Sequence, residues 1–192
     1  MANQTEINSK IEKAFERLLQ NTRFEKLTVT AIAKEAGVSN QTFYRYYTDK
    51  LDLALQLSFK LLSSFSLIYG DNSTWKEVVM SILHSIKNHP VIFKRLIEDP
   101  EGLNIVIESL VMISEHFTGS PSTAYANAIW GVAFKEWRKT TFKAPIEEIY
   151  NSVRDNQPTV DVVCDKKTRD KCLVEFENIR LHHFNNPDNN DD

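Results

Sequence analysis

Apolar positions recur at helical spacing along most of the chain, and Gly, Pro and capping residues mark the breaks between runs. In residues 6–20, Ile7, Ile11, Ala14, Phe15, Leu18 and Leu19 trace one stripe. Glu6, Lys10, Glu12, Lys13, Glu16 and Arg17 surround it, which predicts an amphipathic first helix. Thr28 is placed to cap a second helix, with Ile32, Ala33 and Ala36 as its apolar positions and Gly37 at its end. Val38 can plug the gap before Ser39, which caps a third helix predicted over Asn40–Tyr47. A longer fourth helix is expected over 50–69, carrying Leu51, Ala54, Leu55, Ser58, Leu61, Leu62 and Phe65 and stopping near Gly70–Ser73.

The same spacing continues beyond that break. Ser73 or Thr74 caps a run through Trp75, Val78, Val79, Ile82, Leu83 and Ile86. Pro90 opens a short helix with Ile92, Phe93, Leu96 and Ile97, and Pro100 and Gly102 precede another over Leu103–Phe117. Gly119-Ser120-Pro121 is a clear stop. Ser122–Thr140 then carries Tyr125, Ala128, Ile129, Val132, Ala133, Phe134 and Trp137, and Pro145 starts a last helix with Ile146, Ile149, Tyr150 and Val153. Strand-type alternation is scarce and there are only five glycines, so the expected fold class is all-α. Ala124, Ala128 and Gly131 would let a further helix approach closely. The apolar share of 122–153 exceeds what one helical hairpin is expected to hide against a body of this size.

Residues 28–47 hold the most specific local pattern: capped helix, Gly turn, apolar plug, capped helix. This is the helix-turn-helix arrangement, whose second helix enters the DNA major groove. Asn40, Gln41 and Thr42 fall in the first turn of that helix and, with Tyr44, are the expected base-reading residues. Amides pair bidentately with adenine, and a Thr methyl meets the thymine methyl. Thr28, Arg45, Tyr46 and Lys50 are the expected phosphate contacts. Phe43 and Tyr47, four apart, point the other way as anchors. The plain alternative is a small helical hairpin in which Asn40-Gln41-Thr42 is only a capping turn.

The segment TVTAIAKEAGVSNQTFYRYYTDKLDL resembles the N-terminal DNA-binding domain of the TetR/AcrR family of bacterial transcriptional regulators. The shared positions are Ile32-Ala33, Ala36-Gly37-Val38-Ser39, Thr42-Phe43-Tyr44, Tyr46-Tyr47, Lys50 and Leu51. Two positions depart from the pattern: Tyr47 stands where the family usually has Phe, and Leu51-Asp52-Leu53 where an acidic residue more often follows the Lys directly. The string AIWGVAFKEWRKTTFKAPIEEIYNSV resembles, more loosely, the family's last two helices. The resemblance implies a three-helix head carrying the helix-turn-helix on a helical regulatory and dimerisation body. It implies a homodimer through helices 122–141 and 145–155, bound to a double-stranded DNA operator. Elementary geometry agrees, because two short recognition helices about 34–36 Å apart read a palindrome where one alone meets few base pairs. The resemblance further implies a small-molecule effector in the body. Candidate liners are Phe59, Leu62, Trp75, Phe93, Leu96, Met112, His116 and Trp130, with an apolar or amphipathic ligand preferred for want of a buried charge cluster.

The expected domains are 1–49 for the head, 50–158 for the body, and 159–192 for an extra helix or strap with an acidic tail. Of the 192 residues, 42% are hydrophobic, enough for a proper core. The net charge of −3 argues against a generic polyanion binder, but residues 1–50 hold 8 basic and 6 acidic side chains against 15 and 20 in the remainder. A mildly basic head on an acidic body fits DNA contact through one end. No run is apolar enough for a membrane span or a signal peptide, so the expected location is the cytoplasm. Cys164, Cys172, His182 and His183 match no zinc spacing, and no metal or cofactor is expected. No nucleophile triad or Gly-rich phosphate loop suggests an enzyme. The expectation is a regulator, read as a repressor released by its effector. The alternative is a helix-turn-helix protein serving as a ligand-binding or protein-interaction module without operator binding.

Overall fold

The computed structural model describes residues 4–63, 75–118 and 123–154; the side chains at 4, 75, 114–118 and 123–129 lie outside the description. The described residues form nine α-helices and one 3-10 turn, with no strand among them. The expected all-α class is what is found.

The head is built from α1 (Gln4–Asn21), the 3-10 turn (Phe24–Lys26), α2 (Val29–Ala36) and α3 (Asn40–Tyr44). Both predicted caps form: Thr28 Oγ1 accepts from Ala31 N–H at 3.2 Å, and Ser39 Oγ from Thr42 N–H at 3.0 Å. Gly37 adopts φ 69°, and the bonds Gly37 N–H to Lys34 O (3.1 Å) and Val38 N–H to Ala33 O (3.0 Å) close α2 around it. The third helix is shorter than its spacing predicts. Beyond Tyr44 the chain tightens into turns, with Tyr46 N–H on Phe43 O at 2.9 Å. That tightening folds Tyr47 back onto Phe43, their rings 5.5 Å apart.

The first helix carries the head core. Ile11, Phe15 and Leu19 are buried with Phe24, Leu27, Ile32, Phe43 and Tyr47, and Phe15 meets Phe24 edge-on at 6.2 Å. The Tyr47 hydroxyl donates to Asn8 Oδ1 on α1, so the Tyr that departs from the family pattern has its own acceptor. Arg17 on α1 binds Glu35 on α2 through Nε to Oε1 at 2.7 Å and Nη2 to the main-chain carbonyl at 3.3 Å.

Helix α4 (Lys50–Ser63) leaves the head and enters the body. Asp49 Oδ1 caps it by accepting from Leu51 N–H (2.7 Å) and Asp52 N–H (2.8 Å), while Asp52 Oδ2 reaches back to Thr48 N–H at 2.8 Å. The displaced acidic residue of the second family departure thus serves the α4 start. The body adds α5 (Trp75–Asn88), α6 (Pro90–Glu98), α7 (Pro100–Thr118), α8 (Thr123–Lys139) and α9 (Ile146–Arg154). Helix α7 starts at Pro100 rather than Leu103 because Asp99 Oδ1 accepts from Glu101 and Gly102 N–H, both at 3.0 Å. Gly102 is there for space, since a Cβ would lie 2.6 Å from Leu96 O.

Helices α4 and α6 both pack on α7, α8 packs on α9, and α9 covers α5. One continuous apolar cluster runs from Ile11 to Val153 and joins head to body. Polar links cross the same boundary: Lys60 on α4 pairs with Glu12 on α1 at 2.8 Å, and Arg95 on α6 donates to the Leu19 and Gln20 carbonyls.

Candidate nucleic-acid interface

The tip of the head presents the first turns of α2 and α3 side by side. Thr28, Thr30, Asn40, Gln41, Tyr44 and Arg45 are exposed there, and Thr42 is half-buried. They differ in how far the protein already holds them. Thr42 Oγ1 lies 2.9 Å from Ser39 Oγ within the cap, and Asn40 Nδ2 donates to Thr30 Oγ1 at 3.1 Å. Among the described residues, Gln41 and Arg45 have no side-chain hydrogen bond or ion pair. Tyr44 is 57% exposed, its ring resting edge-on against buried Phe43 at 5.8 Å. Phe43 and Tyr47 are buried behind, as anchors.

The phosphate candidates fare unequally. Thr28 uses its oxygen as a cap acceptor, so the hydroxyl proton remains available at the positive end of α2. Tyr46 is half-buried beside the tip. Lys50 is held: Nζ donates to Phe24 O and Glu25 O, each at 3.2 Å, and sits 4.9 Å over the Phe24 ring. It binds the 3-10 turn to the start of α4, leaving at most one N–H for an oxygen outside the protein. Thr30, two residues after the Thr28 cap on α2, also belongs to the tip, and its closeness to that cap is the signal the sequence carries for it.

The family model for bacterial regulatory proteins of the tetR family matches residues 13–57, from the middle of α1 into α4. Over this head, the chain is similar to the tetR family. The matched residues carry the helix-turn-helix, an arrangement whose second helix enters the DNA major groove. A curated relative, the HTH-type dhaKLM operon transcriptional activator DhaS of Lactococcus lactis subsp. lactis (strain IL1403), is 26% identical over 89 residues. That match covers 45% of this chain and 46% of the relative, so the chain spans about half the length of the relative it matches. Similar solved structures include a TetR transcriptional regulator from Rhodococcus sp. RHA1 (TM-score 0.49, 15% identity, 89% of this chain and 97% of that one). Another is the fatty acid degradation regulator FadR from Bacillus halodurans (TM-score 0.47, 15% identity, 83% and 98%).

In the body, Phe59, Leu62, Phe93, Leu96 and Trp130 are all buried in the continuous core, with Met112 half-buried against it. The side chains of Trp75 and His116 lie outside the described residues. Two buried hydroxyls, Ser58 Oγ on α4 and Ser81 Oγ on α5, have no hydrogen-bond partner among the described residues. Cavities with described walls lie instead at the head–body junction. One of about 390 Å³ is lined by Arg23, Phe24, Arg95, Glu98 and Asp99.

The apolar excess expected of residues 122–153 lies partly outside the described side chains, which on α8 begin at Trp130. Trp130, Ala133, Phe134 and Trp137 turn inward from α8, and Ile146, Ile149, Tyr150 and Val153 from α9. Among the described side chains of α8 and α9, Val132 is an exposed large hydrophobic. No helix among the described residues is long and apolar enough to cross a membrane. Cys164, Cys172, His182 and His183 lie outside the described residues, as does the expected strap at 159–192.

Proposed function

We propose that this chain is a TetR-family transcriptional regulator, a repressor that binds a palindromic operator as a homodimer and is released by a small molecule bound in its helical body. The observation that carries the reading is the division of labour at the tip. Caps and anchors fix the helix-turn-helix, while Gln41, Tyr44 and Arg45 present exposed polar groups on one surface. In this reading Asn40, Gln41, Thr42 and Tyr44 face base edges, and Thr28, Arg45 and Tyr46 hold phosphates. Lys50 supports the fold first and offers its remaining N–H to a phosphate second.

The five-residue α3 supports a dimer, since so short a helix meets few base pairs on its own. Helices α8 and α9 are the proposed contact, through α8 around Gly131 and Val132. For the effector, the apolar surroundings of Phe59, Leu62, Phe93, Met112 and Trp130 together with the unpartnered Ser58 and Ser81 hydroxyls favour an amphipathic molecule that can hydrogen-bond. Release then requires the effector to bind better to a dimer whose two heads no longer match both half-sites. The head is proposed as residues 1–49 and the body as 50–158.

Repression by occupying an operator needs only DNA binding. Activation needs a further surface for the transcription machinery, and it is the second reading because DhaS is named an activator. Binding of the purified chain to its own upstream DNA, against a scrambled duplex across a salt series, tests the proposal. A preference on the order of 10³ with a steep salt slope is expected for a specific site. Weak binding, equal on every duplex of a random-sequence selection, would leave the interaction-module alternative in its place. Transcription from the bound promoter with and without the protein separates repressor from activator.

A further inference from the structure

We infer that Thr30, on α2 and outside the recognition helix, is a positioning residue that sets base specificity by holding the amide of Asn40. Asn40 Nδ2 donates to Thr30 Oγ1 at 3.1 Å, and both residues are exposed at the tip. The inference rests on the reading of Asn40 as a base-facing residue.

Asn40 is the first residue of α3, but it does not cap the helix; Ser39 does, through its bond to Thr42 N–H. Its side chain is therefore released from the role that an Asn near a helix start commonly takes. An exposed amide without a tether samples several rotamers and both orientations of its oxygen and nitrogen. Reading a base edge bidentately requires one of these. The contact to Thr30 biases the side chain towards one rotamer before DNA arrives, which lessens the ordering needed on binding. Once held, Asn40 keeps its Oδ1 acceptor and a second Nδ2 proton for a base, and Thr30 keeps its own hydroxyl proton and methyl group. The two side chains form one reading unit.

The turn makes the unit possible. The left-handed backbone of Gly37 and the return bond of Val38 N–H to Ala33 O bring the start of α3 beside the first turn of α2. Residues ten apart in sequence thereby touch at the surface. Since water competes for so exposed a bond, its contribution to folding is small, and orientation is the effect it can exert.

The test uses the full chain and the duplex it selects from a random-sequence pool, with a panel of single base-pair substitutions of that duplex. Asn40→Ala locates the base pair that Asn40 reads. Thr30→Val, which keeps the shape and removes the hydroxyl, is expected to lose discrimination at that same base pair by about tenfold. Its salt slope and melting temperature should match wild type, and Thr30→Ser should restore discrimination. Wild-type discrimination in Thr30→Val, where Asn40→Ala has lost it, would overturn the role of Thr30 alone. A uniform loss on every duplex would show a structural or phosphate role instead and overturn it equally. No change at any position in Asn40→Ala would overturn the base-reading assignment of Asn40, and the inference with it.

Discussion

Arg95, on α6, donates its Nε proton to the main-chain carbonyl of Leu19, near the end of α1, at 3.0 Å. Its Nη2 reaches the next carbonyl, Gln20, at 3.2 Å. The last carbonyls of a helix have no partner within it and carry the negative end of its dipole, so a guanidinium from another helix suits them well. The Arg95 side chain is 33% exposed, which moderates the gain. Arg95→Met is expected to destabilise the protein by about 1 kcal/mol. A thermal melt should show a midpoint lower by about 2–4 °C; an unchanged midpoint would mean that water replaces Arg95 without loss.

Tyr47→Phe tests the first departure from the family pattern. The Phe ring can fill the same core position, so the change isolates the hydroxyl bonded to Asn8. A loss of about 1 kcal/mol is expected, with Asn8→Ala losing a similar amount. The double variant should lose less than the sum, because both changes remove one bond. Additive losses in denaturant unfolding would show that the two residues act separately.

Arg45 and Lys50 look alike in the sequence but not in the fold. Arg45→Ala should reduce the salt slope of DNA binding by about one and leave the melting temperature unchanged. Lys50→Met should lower the melting temperature, since it removes the bonds to Phe24 O and Glu25 O. The reverse pattern in paired binding and melting experiments would exchange their roles. Gln41→Ala, in contrast to both, should relax specificity at one base pair and leave the salt slope intact.

Three backbone positions predict opposite signs. Thr141 (φ 54°) and Phe142 (φ 62°) both sit in the left-handed region beyond α8, closed by Phe142 N–H on Trp137 O at 2.8 Å. Thr141→Gly should stabilise the protein by up to about 1 kcal/mol by relieving the branched side chain. Gly37→Ala, with no neighbour within 4 Å of the new Cβ, should destabilise by about 1–2 kcal/mol through its φ alone. Gly102→Ala should destabilise more, because its Cβ would meet the Leu96 backbone rather than a side chain that could move. Chemical denaturation of the three variants checks the ranking.

The helix-turn-helix was legible because its signals are local. Thr28, Gly37 and Ser39 each satisfy backbone groups within a few residues, and the structure places each as its type predicts. The helix order was legible from periodicity in the same way. What escaped depends on partners far along the chain. No spacing reveals that Lys50 turns back to residues 24 and 25, or that Asn40 meets Thr30. The end of α3 was missed because Arg45, Tyr46 and Tyr47 are ordinary helical residues, and the tightened bonds of Arg45 N–H to Thr42 O and Tyr46 N–H to Phe43 O leave no mark in their spacing.

Two polar contacts fasten α1 to different helices of the body. Glu12 is tied to Lys60 of α4 and Leu19 to Arg95 of α6, about 10 Å apart along the α1 axis. A rod pinned at a single point can swivel, but one pinned at two points takes its angle from both supports. A slide of α6 past α4 would therefore shift one pin relative to the other and tilt the rod. Because α2 is packed on α1 and α3 on α2, the tilt would reach Tyr44 as a displacement, much as a short lever moves its far end.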